Sequence, residues 1–268
     1  MNSVITVSPE KSVIKSGFSK AAVRYDRYAD HHRIIAKRLI DFAPPDVASG
    51  SIFEIGCGTG ILTEKLLERF PDSFVTALDI SPDMVHRCSS KLRHSRQISF
   101  LVADAEKYCG NGDRYDLVVS SCSLQWFHDR GSFMESICAM LPDGGSCLMA
   151  IPVRGMLREL EESCLFGAKK VMRQLDMDTE EEWITRFENS GMNIRLSAVE
   201  NVACAYSHPL EVLKSIRGIG ACIEQSSSLL KPGDMKKMVD YYRKHFQIDN
   251  CGGVSSTYRI LYILGRKS

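Results

Sequence analysis

The decapeptide Ser51-Ile-Phe-Glu-Ile-Gly-Cys-Gly-Thr-Gly60 constrains this chain more than any other segment. A short apolar run reaches the carboxylate Glu54, glycine falls at 56, 58 and 60, and Ile61-Leu-Thr-Glu-Lys-Leu-Leu opens an amphipathic helix. In order, these are a strand, a tight turn and a helix N-terminus. Glycines let the backbone turn sharply and approach a ligand with no Cβ in the way. The first helical N–H groups then point at whatever sits there. The spacing discriminates between cofactors. A dinucleotide fingerprint reads G-x-G-x-x-G, whereas here the third-glycine position is Ile61 and the glycines alternate. Glu54 would also be a poor neighbour for a pyrophosphate, so an NAD-dependent dehydrogenase ranks last.

S-adenosylmethionine (SAM) has no phosphate and carries an ammonium and a sulfonium, which a nearby carboxylate suits. The E-x-G-x-G-x-G pattern resembles the first signature of class I SAM-dependent methyltransferases. The periodicity from about residue 50 to 151 alternates short apolar runs with helical stretches, which predicts a doubly wound, mostly parallel α/β sheet. Strands are expected at Ser51–Ile55, Phe74–Asp79, Ile98–Ala103, Tyr115–Ser121 and Ser146–Ile151. Helices are expected near Ile61–Arg69, Pro82–His94 and Gly131–Met140. Ser81 with Pro82 marks one helix start, and Pro142-Asp-Gly-Gly145 separates a helix from a strand.

Ligands of such sheets lie beyond the carboxyl ends of the strands. Glu54, Gly56, Cys57, Gly58 and Gly60 are therefore expected around the cofactor. Asp79, with Ile80 and Met84, ends the second strand about twenty residues on, where an acid can accept ribose hydroxyls. Asp104 and Ala105 end the third, near the adenine, and Ser120 to Ser123 end the fourth, beside the methyl. Asp116, at the opposite edge, is assigned a structural role.

The chain has 268 residues, 44% of them hydrophobic and 25% charged, ordinary values for a globular protein with a substantial core. A formal net charge of +1 gives no reason to expect nucleic acid as substrate. No run of about eighteen apolar residues suggests a membrane span. Ten cysteines occur without C-x-x-C spacing, and several, such as Cys122, Cys138, Cys147 and Cys222, sit in apolar segments. Reduced, buried thiols in a cytoplasmic protein are expected, and no metal site.

Outside the core, Phe18 to Leu39 reads as one or two amphipathic helices. Helical patterns recur at Met156–Leu175, Thr179–Ser190, Pro209–Ile219 and Pro232–Phe246, with a strand-like stretch at Asn193–Ala205 and a last strand at Tyr258–Leu264. The expected organisation is an N-terminal helical segment (1–45) over the active site and a SAM-binding core (46–154). A mainly helical cap (155–250) then carries one returning strand near 193–205, and a final core strand (251–268) completes a seven-stranded, Rossmann-like sheet.

Phe18-Ser-Lys-Ala-Ala-Val-Arg-Tyr-Asp-Arg-Tyr-Ala, Ser123-Leu-Gln-Trp-Phe-His-Asp129, Leu213-Lys-Ser-Ile-Arg-Gly-Ile-Gly-Ala221 and the Thr257-Tyr258 run resemble the malonyl-acyl carrier protein O-methyltransferases of biotin synthesis. The resemblance implies SAM as methyl donor, S-adenosylhomocysteine as product and a malonyl thioester on acyl carrier protein as acceptor. It places Tyr25 as the active-site hydroxyl, with Gln125 and Trp126 facing donor or acceptor, in a monomeric protein. His128 and the pair His31-His32 are expected at the surface. An acyl carrier protein is acidic, so Arg33, Lys37, Arg38, Arg130 and Arg154, with Arg158, are candidates for docking it. The competing acceptor is a small free acid such as an aconitate-like tricarboxylate, for which arginines should face the methyl. A non-catalytic SAM-binding protein would instead show an obstructed acceptor pocket.

Overall fold

The computed structural model describes residues 4–45, 50–108, 112–221, 230–248 and 252–268. Cys222 and the boundaries expected at residues 46 and 250–251 lie outside these described residues. The centre is a seven-stranded sheet in the order β4-β3-β2-β5-β6-β9-β8. These strands are β2 (Ser51–Ile55), β3 (Phe74–Asp79), β4 (Ile98–Val102), β5 (Leu117–Ser121), β6 (Ser146–Pro152), β8 (Met192–Tyr206) and β9 (Val254–Lys267). The strands from β4 to β6 pair in parallel, and β9 lies antiparallel between β6 and β8. Ile52–Ile55 and Leu117–Ser120 are buried throughout, because helices cover both faces of the sheet there.

The helices form two layers. On one face, α3 (Asp30–Asp41), α4 (Ile61–Arg69), α7 (Arg158–Glu162), α9 (Pro209–Gly218) and α10 (Pro232–Phe246) bury Ile35, Leu66, Leu160, Val212 and Tyr242. On the other, α6 (Arg130–Met140) and α8 (Glu180–Asn189) bury Met134, Ile137, Trp183 and Phe187. Each such fully buried side chain contributes roughly 1.5–3 kcal/mol. α5 (Pro82–Lys91) sets Val85 and Cys88 against Ala77 and Cys57, and starts at Ser81, whose hydroxyl accepts from Met84 N–H. α8 begins with a full capping box between Thr179 and Glu182.

Two elements depart from the sequence reading. The expected helix at Met156–Leu175 stops after α7 and one wide π-type turn (Ser163–Gly167), and residues Met172–Leu175 form a strand, β7. This strand pairs in parallel with β1 (Val4–Val7), which the sequence reading did not foresee. Met, Arg, Gln and Leu all favour helices locally, and only a partner 168 residues away makes the extended form preferable. The N-terminal helical segment also starts earlier, with α1 (Lys11–Ala21) and a single turn α2 (Tyr25–Tyr28) ahead of α3.

Candidate active site

Chain order reverses at β2, with β3 and β4 to one side and β5 and β6 to the other. A crevice opens beyond the carboxyl ends at such a point. Gly56, Gly58 and Gly60 all take positive φ, at 73°, 54° and 90°. They do different work. A Cβ on Gly56 would lie 1.9 Å from Ser123 Oγ, so the turn can pass under the β5 end only as glycine. Gly58 faces open space, the room a ligand needs. Gly60 does not line the crevice: it faces Cys88 Sγ on α5, which a Cβ would approach to 2.9 Å. Its smallness serves helix packing rather than cofactor contact.

The crevice is one cleft in two lobes. The larger, about 650 Å³, is walled by Ile55, Gly56, Gly58, Asp79, Ile80, Met84, Asp104, Ala105, Ser121–Ser123 and Trp126, and is roofed by Lys11, Ile14, Phe18 and Tyr25 from α1 and α2. The smaller, about 340 Å³, adds Glu54, Cys57, Thr59, Ile61 and His32, and shares Tyr25, Gly56, Gly58 and Ser121 with the first. Tyr25 stands where the lobes meet.

Glu54 is 1% exposed, and neither carboxylate oxygen has a hydrogen-bond partner among the described residues. Burial pushes its carboxyl up to about 8; the nearby Thr63 hydroxyl opposes this without reaching hydrogen-bond geometry, and the charge of Asp79 adds to it. An orphaned acid in a buried lobe is matched by a ligand cation. Asp79 is held differently: one oxygen accepts from Gly58 N–H at 2.9 Å and the other from Ser81 N–H at 2.8 Å. Burial still raises it to about 6, against these backbone donors. Each oxygen keeps a lone pair for a ribose hydroxyl. The residues present thus fit SAM: Glu54 for the ammonium, Gly58 for close approach, Asp79 for the ribose and Asp104 with Ala105 for the adenine end.

Three expected site residues are placed elsewhere. Ser120 is fully buried and donates to Ile55 C=O at 2.9 Å, clamping β5 to β2. Strand alternation turns the next residue, Ser121, to the cleft instead. Gln125 does not line the cleft: its Nε2 donates to Cys122 C=O at 2.7 Å, while Oε1 is buried without a partner among the described residues. Trp126, one residue on, does line it, edge-on to Phe18 with ring centroids 5.4 Å apart. Arg130 is not a surface cation. Its guanidinium sits 3.1 Å from Asp178 and also donates to the backbone oxygens of Gln125 and Asp176.

The sequence reading also misplaced the histidine pair. His31 is 3% exposed, sandwiched at 4.1 Å between His32 and the ring of Tyr258. His32 faces the cleft, with Nδ1 3.2 Å from the Tyr25 hydroxyl. Burial, then the neighbouring Arg33 charge, push the His32 imidazole down to about 4, and burial drives His31 well below its ordinary value. Tyr25 is shifted far upward by burial, with Cys122, Asp79 and Asp26 adding. The pair is therefore neutral near pH 7. When His32 carries its proton on Nδ1, the ring donates to Tyr25 and frees the phenolic O–H for a ligand oxygen. Cys122 beside them has φ of 56°, a strained conformation for a side chain at the end of β5.

Lys11 was another omission, since an isolated lysine before an amphipathic helix carries no signal. It pairs with Asp104 at 3.6 Å and with Glu106, tying the roof to the far wall of the cleft. His128, expected as a loop histidine, reinforces this tie at 3.0 Å from Pro9 C=O. Asp116 accepts from Ser51 N–H at 2.7 Å, at the edge remote from the cleft.

A family described as methyltransferase domain matches residues 52–145. Among solved structures, magnesium protoporphyrin IX methyltransferase from Synechocystis, with bound SAH, superposes with a TM-score of 0.64 at 12% identity, covering 97% of this chain and 100% of that one. The fold and the match at its centre define a class I SAM-dependent methyltransferase. Malonyl-(acyl-carrier protein) O-methyltransferase 2 of Ilyobacter polytropus is 31% identical, the alignment covering 96% of this chain and 98% of the relative. The malonyl-(acyl-carrier protein) O-methyltransferase of Acetivibrio thermocellus is 29% identical over 96% of this chain and 94% of its own. At that identity over nearly the full length, the chain belongs to the malonyl-(acyl-carrier protein) O-methyltransferase family.

Proposed function

We propose that this enzyme methylates the free carboxylate of a malonyl thioester carried on acyl carrier protein. The observation that carries this reading is the character of the acceptor side of the cleft. SAM, when bound, supplies an electrophilic methyl group, and the protein's task is to align a nucleophile with it and exclude water. The groups beside that position are Tyr25 and His32, and His32, held down near 4, is a poor base at neutral pH. A hydroxyl or amine acceptor would have to lose a proton, whereas a carboxylate with an ordinary pKa of about 4 arrives ionised. Tyr25 O–H is suited to orient one carboxylate oxygen while the other attacks. Trp126 and Phe18 form an apolar wall that favours a desolvated acceptor.

An aconitate-like acid has less support, because no arginine occurs among the described residues lining either lobe. The names of the full-length relatives favour the carrier-borne substrate over it. Esterification removes the charge at the end of the acyl group, the chemistry needed before enzymes built for apolar chains can elongate it. The test offers labelled SAM with malonyl-acyl carrier protein, malonyl-CoA and free dicarboxylic acids in parallel. Label on the carrier-borne malonyl group is expected; transfer only to the free acids would overturn the assignment.

A further inference from the structure

The arginines that the sequence marks for docking are engaged with acids. Arg33 lies 2.8 Å from Asp30, Arg38 pairs with Glu200 at 2.6 Å, Arg130 with Asp178, and Arg154 lies 3.5 Å from Glu182. A different set of cations is not. Lys20, Arg24, Arg27, Arg87 and Arg217 are all exposed, and none forms an ion pair among the described residues. Lys20, Arg24 and Arg27 flank Val23 along the connection from α1 to α2, and Arg87 and Arg217 meet it from α5 and α9. Arg87 of α5 donates to Val23 C=O at 3.2 Å, and Arg24 reaches Arg217 C=O of α9 at 3.5 Å. Close packing fixes this junction: a Cβ on Gly218 would lie 2.2 Å from the Tyr28 ring. At its centre Val23 is 78% exposed, more than any other large apolar residue described.

Arg24 and Arg87 are each held against a backbone oxygen of this junction and neither is paired with an acid among the described residues, in a chain with 33 acids available. The nearest acids do not neutralise them. Asp26 accepts from the Thr59 hydroxyl toward the cleft, Asp30 is taken by Arg33, and Asp83, one turn before Arg87, makes no ion pair with it. The arrangement, an exposed apolar point ringed by unpaired cations, matches a partner with a helix face that is acidic around an apolar centre. It also lies on the outside of α1 and α2, whose inner residues Ile14, Phe18 and Tyr25 roof the cleft. That roof is one helix deep, about 10 Å, a thickness that an extended prosthetic arm spans.

We propose that this surface, centred on Val23 and bounded by Lys20, Arg24, Arg27, Arg87 and Arg217, is where the acidic acyl carrier docks to deliver its thioester. The inference rests on the function proposed above. The experiment compares wild-type protein with the double variant Lys20→Glu/Arg27→Glu, neither side chain having a hydrogen bond within the described structure. Lys37→Glu, at an exposed lysine of α3 with no ion pair among the described residues, serves as the comparison outside the patch. Each is assayed on malonyl-acyl carrier protein and on malonyl-N-acetylcysteamine, a short thioester whose one charge is the acceptor carboxylate and which has no carrier. The double variant should raise KM for the carrier-borne substrate about tenfold or more and weaken its salt dependence. Its kinetics on the short thioester should stay within twofold, and Lys37→Glu should resemble wild type on both. An unchanged KM for the carrier, or equal losses on both substrates, would overturn the docking surface. Failure of wild-type protein to methylate the carrier-borne group would instead remove the function on which it rests.

Discussion

Replacing Glu54 by glutamine should stabilise the ligand-free enzyme while weakening its hold on SAM. Burial raises this carboxyl from 4.5 to about 8. At ~1.36 kcal/mol per pH unit, keeping it ionised in the ligand-free cleft costs about 5 kcal/mol. The sign follows from proton uptake. Between pH 4.5 and 8 the folded state binds a proton that the unfolded chain releases, so rising pH favours unfolding through this window. The penalty is absent below the unfolded value, reaches roughly 3 kcal/mol at pH 7, and levels off above the folded value. Glutamine keeps the shape and cannot ionise. At roughly 2–4 °C per kcal/mol for a protein of this size, ligand-free Glu54→Gln should melt about 6–12 °C above wild type at pH 7, with the gap closing toward pH 5. Asp79, raised to about 6, titrates in both proteins and enters the difference only through its repulsion of the Glu54 carboxylate. Thermal unfolding from pH 5 to 8.5 reads this directly. Calorimetry with S-adenosylhomocysteine should show binding by wild type coupled to proton release, and affinity for the variant lower by about ten- to a hundredfold. Parallel melting curves across the pH range would refute the claim that Glu54 is an unsatisfied acid awaiting a cation.

Tyr25→Phe should lower kcat about ten- to a hundredfold, the worth of one hydrogen bond to a charged group, with SAM affinity within threefold. Equal turnover would remove the tyrosine from the acceptor site. His32, held near 4, stays neutral from pH 6 to 9, so its NMR titration should show no inflection there; a midpoint near 6.5 would contradict its burial. Ser120→Ala should cost about 1 kcal/mol in urea unfolding and leave KM for SAM unchanged, because the hydroxyl serves Ile55 and not the cleft. Gly218→Ala should destabilise by about 1–3 kcal/mol and expose the α1–α2 segment to proteolysis, since the added methyl meets Tyr28.

The parts of this molecule legible in its residues are those with local causes. The strand–turn–helix at Ser51–Arg69 announces itself because three positive-φ positions need glycine, and the strands Phe74–Asp79, Leu117–Ser121 and Ser146–Pro152 do so through largely buried apolar runs. Alternation decides finer matters less visibly. Ser120 and Ser121 differ by one residue and face opposite sides of the sheet, and a stretch of four hydroxyl and thiol residues gives no hint which is which. Side chains that meet across long separations were beyond reach. Arg38 finds Glu200 and Arg130 finds Asp178 only in the folded chain, so charge was evident and neutralisation was not. His31 reads as a polar position on an amphipathic helix until Tyr258, on the last strand, covers it.

The pairing of β1 with β7 has a consequence for how the molecule comes into being. The roof is strung between two fastenings: Val4–Val7 against Met172–Leu175 at one end, and Gly17 and Tyr28 against Gly220 and Gly218 at the other. Neither fastening can form on the ribosome until those later residues have emerged. The glycine cradle is complete much sooner, so a nascent chain passes through a stage with an uncovered crevice and an unmoored leading helix. Chaperones and proteases would meet that stage first, and damage at positions near 172 or 218 would register as a failure of the opening helix, far away in the chain.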